Sequence, residues 1–135
     1  LKQTVEFQNS ENIFELIDYI VSGNVDRALL LLNETIKRGE SAILIFVLLV
    51  KQIRKYLRGK LLLKMGVSQN ELADRVGVPP FKRKDFIVYL KSSNTIKLMS
   101  LYGELLKIDR LIKSSSIDTN MLLEKLIINL KRKLH

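Results

Sequence analysis

Ala42-Ile-Leu-Ile-Phe-Val-Leu-Leu-Val50 is an unbroken apolar run, and Lys51-Gln-Ile-Arg-Lys-Tyr-Leu-Arg58 follows it directly. In the second half Lys51, Arg54, Lys55 and Arg58 recur at steps of three and four. Ile53, Leu57 and Leu61 meanwhile continue an apolar stripe begun by Phe46 and Val50. That spacing is helical, because side chains three and four apart return to the same face. A helix apolar all round in its first half is expected to be enclosed by other helices. The run falls short of the roughly 20 residues that a bilayer crossing needs. The stretch therefore predicts a buried core helix with a basic end and no membrane span.

The neighbouring segments supply the helices that would enclose it. Residues 1–9 lack a pattern and read as a linker from an upstream region, since the chain opens on Leu1 rather than methionine. Ser10 is placed to cap a first helix whose apolar face is Ile13, Phe14, Leu16, Ile17, Ile20 and Val21. Gly23 ends it, and Asn24 caps a second helix over residues 25–38 with Leu29, Leu32 and Ile36 on one side. Gly39 and Gly66 bracket the central helix. Ser68 and Glu71 have the spacing of a capping box, in which each side chain satisfies the other's backbone N–H. The short helix that follows stops at Val76-Gly77, and Pro79-Pro80 opens a helix over residues 81–91, with Phe86, Ile87 and Leu90 inward. After Ser92-Ser93-Asn94 a long helix carries Leu98, Leu101, Leu105, Ile108 and Ile112. Asp118 caps a last one, with Leu122, Leu123, Leu126, Ile127 and Leu130 as its apolar side.

No segment alternates with the period of a strand. The expected fold is all-α: a compact single domain of about seven helices, residues 10–135, around a central buried helix. Phe46 and Val50 should be nearly fully buried, with Leu101, Leu105 and Leu126 around them. Gly59 and Gly103 sit inside helices, where each costs about 1 kcal/mol relative to alanine. Close approach of a neighbouring backbone is the expected reason.

Apolar residues make up 47% of the 135 residues, enough for one hydrophobic core and too many for a disordered chain. There is no cysteine, which removes disulfides, thiol catalysis and cysteine-based zinc sites. The only histidine is His135. No signal peptide is visible, so a cytoplasmic setting is expected. The net charge of +9 is uneven: residues 1–40 carry four basic and seven acidic side chains, whereas residues 41–66 carry six basic and none acidic. Solvated helix faces account for such blocks, and so does an acidic partner, whether protein or nucleic acid.

Candidates for chemistry are thin. Glu15/Asp18 and Glu71/Asp74 lie one helical turn apart, but hard cations want more oxygens than two. Gly59-Lys60 has the look of the end of a phosphate loop, yet Arg54 stands where that motif needs glycine and Leu61 where it needs serine or threonine. No cofactor, no metal and no small-molecule substrate are expected, and the chain itself is not expected to be an enzyme. Residues 68–91 have the form of a helix-turn-helix, with Lys82, Arg83 and Lys84 opening its second helix. Those side chains suit phosphates better than base edges. Nucleic-acid binding by this hairpin therefore stands as an alternative to a purely structural role.

The order of several short segments resembles one family. They are Glu11-Asn-Ile-Phe-Glu-Leu-Ile-Asp18 with Ile20, then Gly23-Asn24 and Arg27-Ala28-Leu29. Gln52, Ile53 and Arg54 follow, then Leu72-Ala73, Val76-Gly77-Val78 and Pro80-Phe81. Leu105, Leu106, Asp109 and Lys113 come next, and the apolar pattern from Leu122 to Leu130 completes the series. In this order and spacing they look like the C-terminal domain of delta subunits of bacterial DNA polymerase III clamp loaders, over about residues 9–133. The resemblance implies a helical collar domain, an oligomerisation scaffold joining other clamp-loader subunits in the assembly that places the sliding clamp on primed DNA. The parent subunit would then belong to a DNA polymerase III (nucleotidyltransferase) holoenzyme, with its ATPase-like region before Leu1. On that reading Lys51, Arg54, Lys55 and Arg58 are candidate partner contacts, with non-specific DNA contact as a further possibility.

Overall fold

The computed structural model describes residues 14–20 and 22–134, with side chains described as far as Leu130. The linker expected over residues 1–9, the Ser10 cap, and Ile13 and Val21 lie outside the described residues. Seven α-helices follow one another, with no strand among the described residues. They are α1 (residues 14–20), α2 (Val25–Lys37), α3 (Ala42–Lys64), α4 (Gln69–Val76), α5 (Arg83–Ser92), α6 (Thr95–Ser114) and α7 (Thr119–Leu134). A 3₁₀ turn, Pro80–Lys82, leads into α5. The all-α bundle around a central helix is therefore as expected: α3 packs against α4, α5, α6 and α7, and α2 covers α7.

Helix ends follow local chemistry. Asn24, Ser41, Ser68 and Asn94 each offer a side-chain oxygen to a backbone N–H of the first turn, and Asp118 does the same for α7 through the N–H of Asn120. α4 closes on Gly77 at φ +82°, with the N–H of Val78 bonded to the carbonyl of Ala73. Only a residue without Cβ takes that left-handed conformation freely. The capping box is half made. Ser68 accepts from the Glu71 N–H at 3.3 Å, but the Glu71 carboxylate turns to Arg75, 2.8 Å away. A charged donor one turn on outcompetes a neutral amide for a carboxylate.

The buried seam of α3 is rotated from the expected one. Ile45, Phe46, Leu49, Gln52, Ile53, Tyr56 and Gly59 face inward. Val50 and Leu57 are half-buried, and Leu61 is 59% exposed. Gln52, Tyr56 and Gly59 conceal this seam in the sequence, because none counts as a purely apolar residue. Each nevertheless has a packing reason. Tyr56 stacks on Phe86 with ring centroids 5.0 Å apart and lies 4.3 Å from Tyr89. A Cβ at Gly59 would come within 3.0 Å of both Leu90 methyl carbons, so the glycine lets α5 settle against α3. Phe46, Leu101, Leu105 and Leu126 are buried as expected. The first half of α3 is not fully enclosed, however: Ile43, Leu44 and Val47 are exposed. Neighbouring helices cover one side of it and leave the other open.

Candidate interaction surface

The open side of α3 is built by its own periodicity. Ile43, Val47, Lys51, Arg54 and Arg58 recur at steps of four, four, three and four, opposite the buried seam. The outer face therefore changes from apolar to cationic along its length. Lys51, Arg54 and Arg58 are all exposed, whereas Lys55 is half-buried to one side. The structure thus brings three of the four basic residues onto one face and sets beside them Ile43 and Val47, which a fully enclosed helix would have buried.

α6 forms the other bank. Arg54 donates from Nε to the hydroxyl of Tyr102 at 2.9 Å, and its guanidinium carbon lies 5.8 Å from the ring centre. That contact fixes the side chain against α6 while leaving the residue exposed. Between the helices runs a groove of about 230 Å³, with Val47, Val50 and Leu106 among its apolar walls and Lys51 and Arg54 on its rim. Lys113 and Asp109 also line it and pair with each other at 2.9 Å. An apolar floor beneath a cationic rim suits helix-on-helix packing with an acidic flank. The signal for Ile43 and Val47 was in the sequence: a run of nine apolar residues exceeds what one buried face of a helix can use.

The helix-turn-helix segment has a different character. Lys82 is 9% exposed, and its ammonium lies 4.4 Å from the centre of the Phe14 ring. Arg83 pairs with Asp74. Of the three basic residues at the start of the second helix, Lys84 alone is exposed. Phe81, Asp85 and Val88 are exposed beside it, so this face is largely apolar and partly acidic.

Shallow hollows between α1 and α5 are lined by Phe14, Glu15, Asp18, Asp85 and Tyr89. Burial pushes the Tyr56 and Tyr89 phenols well above their ordinary titration range. The carboxylates of Asp18 and Asp85 push Tyr56 further up, while the neighbouring Gln52 amide pulls it down. For Tyr89 the added causes are Tyr56 and Asp18. Both remain neutral and act as aromatic packing. Among the described residues no three histidine or acidic side chains gather as a metal-ligand set, and no helix is long and apolar enough to cross a membrane.

Fold and surface together define the class: an all-α helical domain with an exposed face that is apolar at one end and basic at the other. Comparison makes it particular. Residues 10–130 match the family described as DNA polymerase III delta subunit, C-terminal domain, and the chain belongs to that family. It is 27% identical over 133 residues to the DNA polymerase III subunit delta of Bacillus subtilis (strain 168), covering 98% of this chain and 38% of that relative. Among solved structures, the Bacillus subtilis DNA clamp loader delta protein (YqeN) superposes with a TM-score of 0.81 at 27% identity, over 92% of this chain and 37% of that one.

Proposed function

We propose that this domain is a collar: a non-catalytic scaffold that holds a clamp-loader delta subunit to the other subunits of its assembly through helix-to-helix contacts. The observation that carries the reading is the two-banked face of α3 and α6, where Ile43, Val47 and Leu106 are exposed beside Lys51 and Arg54. Family membership supports it, because the similar Bacillus subtilis protein of known structure is a DNA clamp loader delta protein. The sliding clamp, primed DNA and the polymerase III holoenzyme enter only through the parent subunit.

Arg54→Ala tests this reading. Arg54 is exposed and its side-chain hydrogen bond to Tyr102 is exposed too, so the melting temperature of the full-length subunit should hardly change. Association with the purified partner subunits, followed by sedimentation velocity, should weaken by about 2 kcal/mol, as expected for an arginine that becomes desolvated in an interface. Unchanged association with an unchanged melt would show the stripe to be a solvated face. The alternative is duplex DNA binding by residues 68–91, in which Lys84 is the exposed member of the trio Lys82, Arg83 and Lys84. If it operates, Lys84→Ala should flatten the salt dependence of duplex binding by about 0.9 in the log–log slope.

A further inference from the structure

α6 carries two apolar seams. The inner one, Leu98, Leu101, Leu105 and Ile108, is buried against the rest of the chain. On the opposite side Ile96, Met99, Gly103 and Leu106 recur at the same alternating steps of three and four. This outer seam is open: Ile96 is 78% exposed, Met99 61% and Leu106 41%. Alternating three–four spacing is the repeat by which one helix receives another, each side chain of one seating between four of its partner.

Gly103 gives the second, independent sign. A Cβ built there meets nothing within 4 Å, and the residue does not have the positive φ that would demand glycine. It contrasts with Gly59, whose missing side chain is filled by Leu90. Glycine in a helix interior is unfavourable relative to alanine, and nothing within the described chain accounts for it. The notch lies in the middle of the open seam, where a second backbone would come closest.

We infer that this outer seam of α6 is the seat of a single amphipathic helix from a different subunit, with a bulky apolar side chain lodged over Gly103 and acidic residues along its flanks. The inference rests on the collar reading and specifies the partner's chemistry. Acidity follows from the residues beside the seam. Lys107 and Arg110 are exposed on this side of α6. Glu104, the acidic residue nearest the notch, is already turned to Lys107. A second copy of this chain would bring like charges together across the seam, which disfavours a homodimer.

The test uses the full-length subunit and the remaining purified subunits of the same clamp loader. Gly103→Ala should melt no lower than wild type and bind its partners more weakly. Gly103→Leu should bind at least tenfold more weakly, and where leucine disturbs the fold the alanine variant decides. Arg110→Glu should also bind at least tenfold more weakly, with the deficit shrinking as salt is raised. If wild type joins no partner, the collar reading itself fails. If wild type assembles and both glycine variants assemble as tightly, the seam is overturned and the collar reading stands. Unaltered binding by Arg110→Glu would overturn the acidic partner, and a dimer of the subunit alone that Gly103→Leu abolishes would put a second copy on the seam instead.

Discussion

Gly59 and Gly103 occupy equivalent places, each well inside a long helix of the same bundle, yet their surroundings are opposite. Around Gly59 the space is filled: Leu90 presses on its backbone, and Tyr56 and Phe86 stack one turn away. Around Gly103 the space is open, and the large side chains on either side of it in the seam point to solvent. A glycine filled from within is explained by the fold. A glycine left open on an apolar seam is explained by something the fold meets. The same distinction separates the two sides of α3, with Phe46 on the inner side and Val47 on the outer.

The largest effect should come from the inner side of α3. Phe46 is 4% exposed, and Phe46→Ala should cost about 3–5 kcal/mol in denaturant unfolding, as a buried ring lost from a close-packed core does. Val47→Ala, one residue on, should stay within about 0.5 kcal/mol, because its side chain is already partly in water. Equal losses at the two positions would erase the difference between the faces.

The glycine pair gives a smaller effect with opposite signs. Alanine gains about 1 kcal/mol of helix propensity at either site. At Gly59 that gain meets overpacking against Leu90, which typically costs about 1–3 kcal/mol, so Gly59→Ala should lower stability by roughly 1 kcal/mol. At Gly103 no neighbour opposes it, and Gly103→Ala should raise stability by about 0.5–1 kcal/mol. Thermal melts of the two variants side by side check this. A loss at Gly103 would mean that the notch has an occupant within the chain.

These contrasts also show what the sequence could reveal. Element type was legible because apolar residues, mostly leucine and isoleucine, recur at helical steps in the long segments. Helix boundaries were legible because asparagine, serine and glycine stand where caps and left-handed turns need them. The inward line of α3 was not, because Gln52, Tyr56 and Gly59 pack by an amphipathic side chain, a ring face and a missing Cβ rather than by hydrophobicity. In α2 the inward line is shifted too: Val25, Ala28, Leu31 and Thr35 are buried with Leu32, and the Thr35 hydroxyl donates to the Leu31 carbonyl at 2.7 Å. At the candidate surface the basic residues were legible, and the nine-residue apolar run signalled that some of its members must face outward without showing which. Sequence shows that Ile43, Val47 and Leu106 are apolar; only the packed bundle shows that nothing in the described chain covers them. The fate of Lys82 and Arg83 was hidden as well, since their partners Phe14 and Asp74 lie elsewhere in the sequence.

The smallest effect tests the filled side from another direction, through pH. Tyr89 is a half-buried residue whose hydroxyl oxygen is sealed from solvent without a hydrogen-bond partner among the described residues, and burial raises its titration above the ordinary tyrosine value near 10. In the unfolded chain the phenol ionises near that ordinary value, while in the folded chain it stays protonated to higher pH. The folded state therefore holds more protons above about pH 10, and stability must fall as pH rises past that point. Below it the phenol is protonated in both states, and the shift produces no slope. Tyr89→Phe removes the group, keeps the ring against Tyr56 and removes an unpaired buried oxygen. At pH 7 it should be neutral or stabilising by a few tenths of a kcal/mol, on the order of the smallest hydrogen-bond effects. Between about pH 10 and 11 its melting temperature should fall less steeply than that of wild type. A slope unchanged by Tyr89→Phe would mean that water reaches the phenol, and the filled side would be looser than its packing implies.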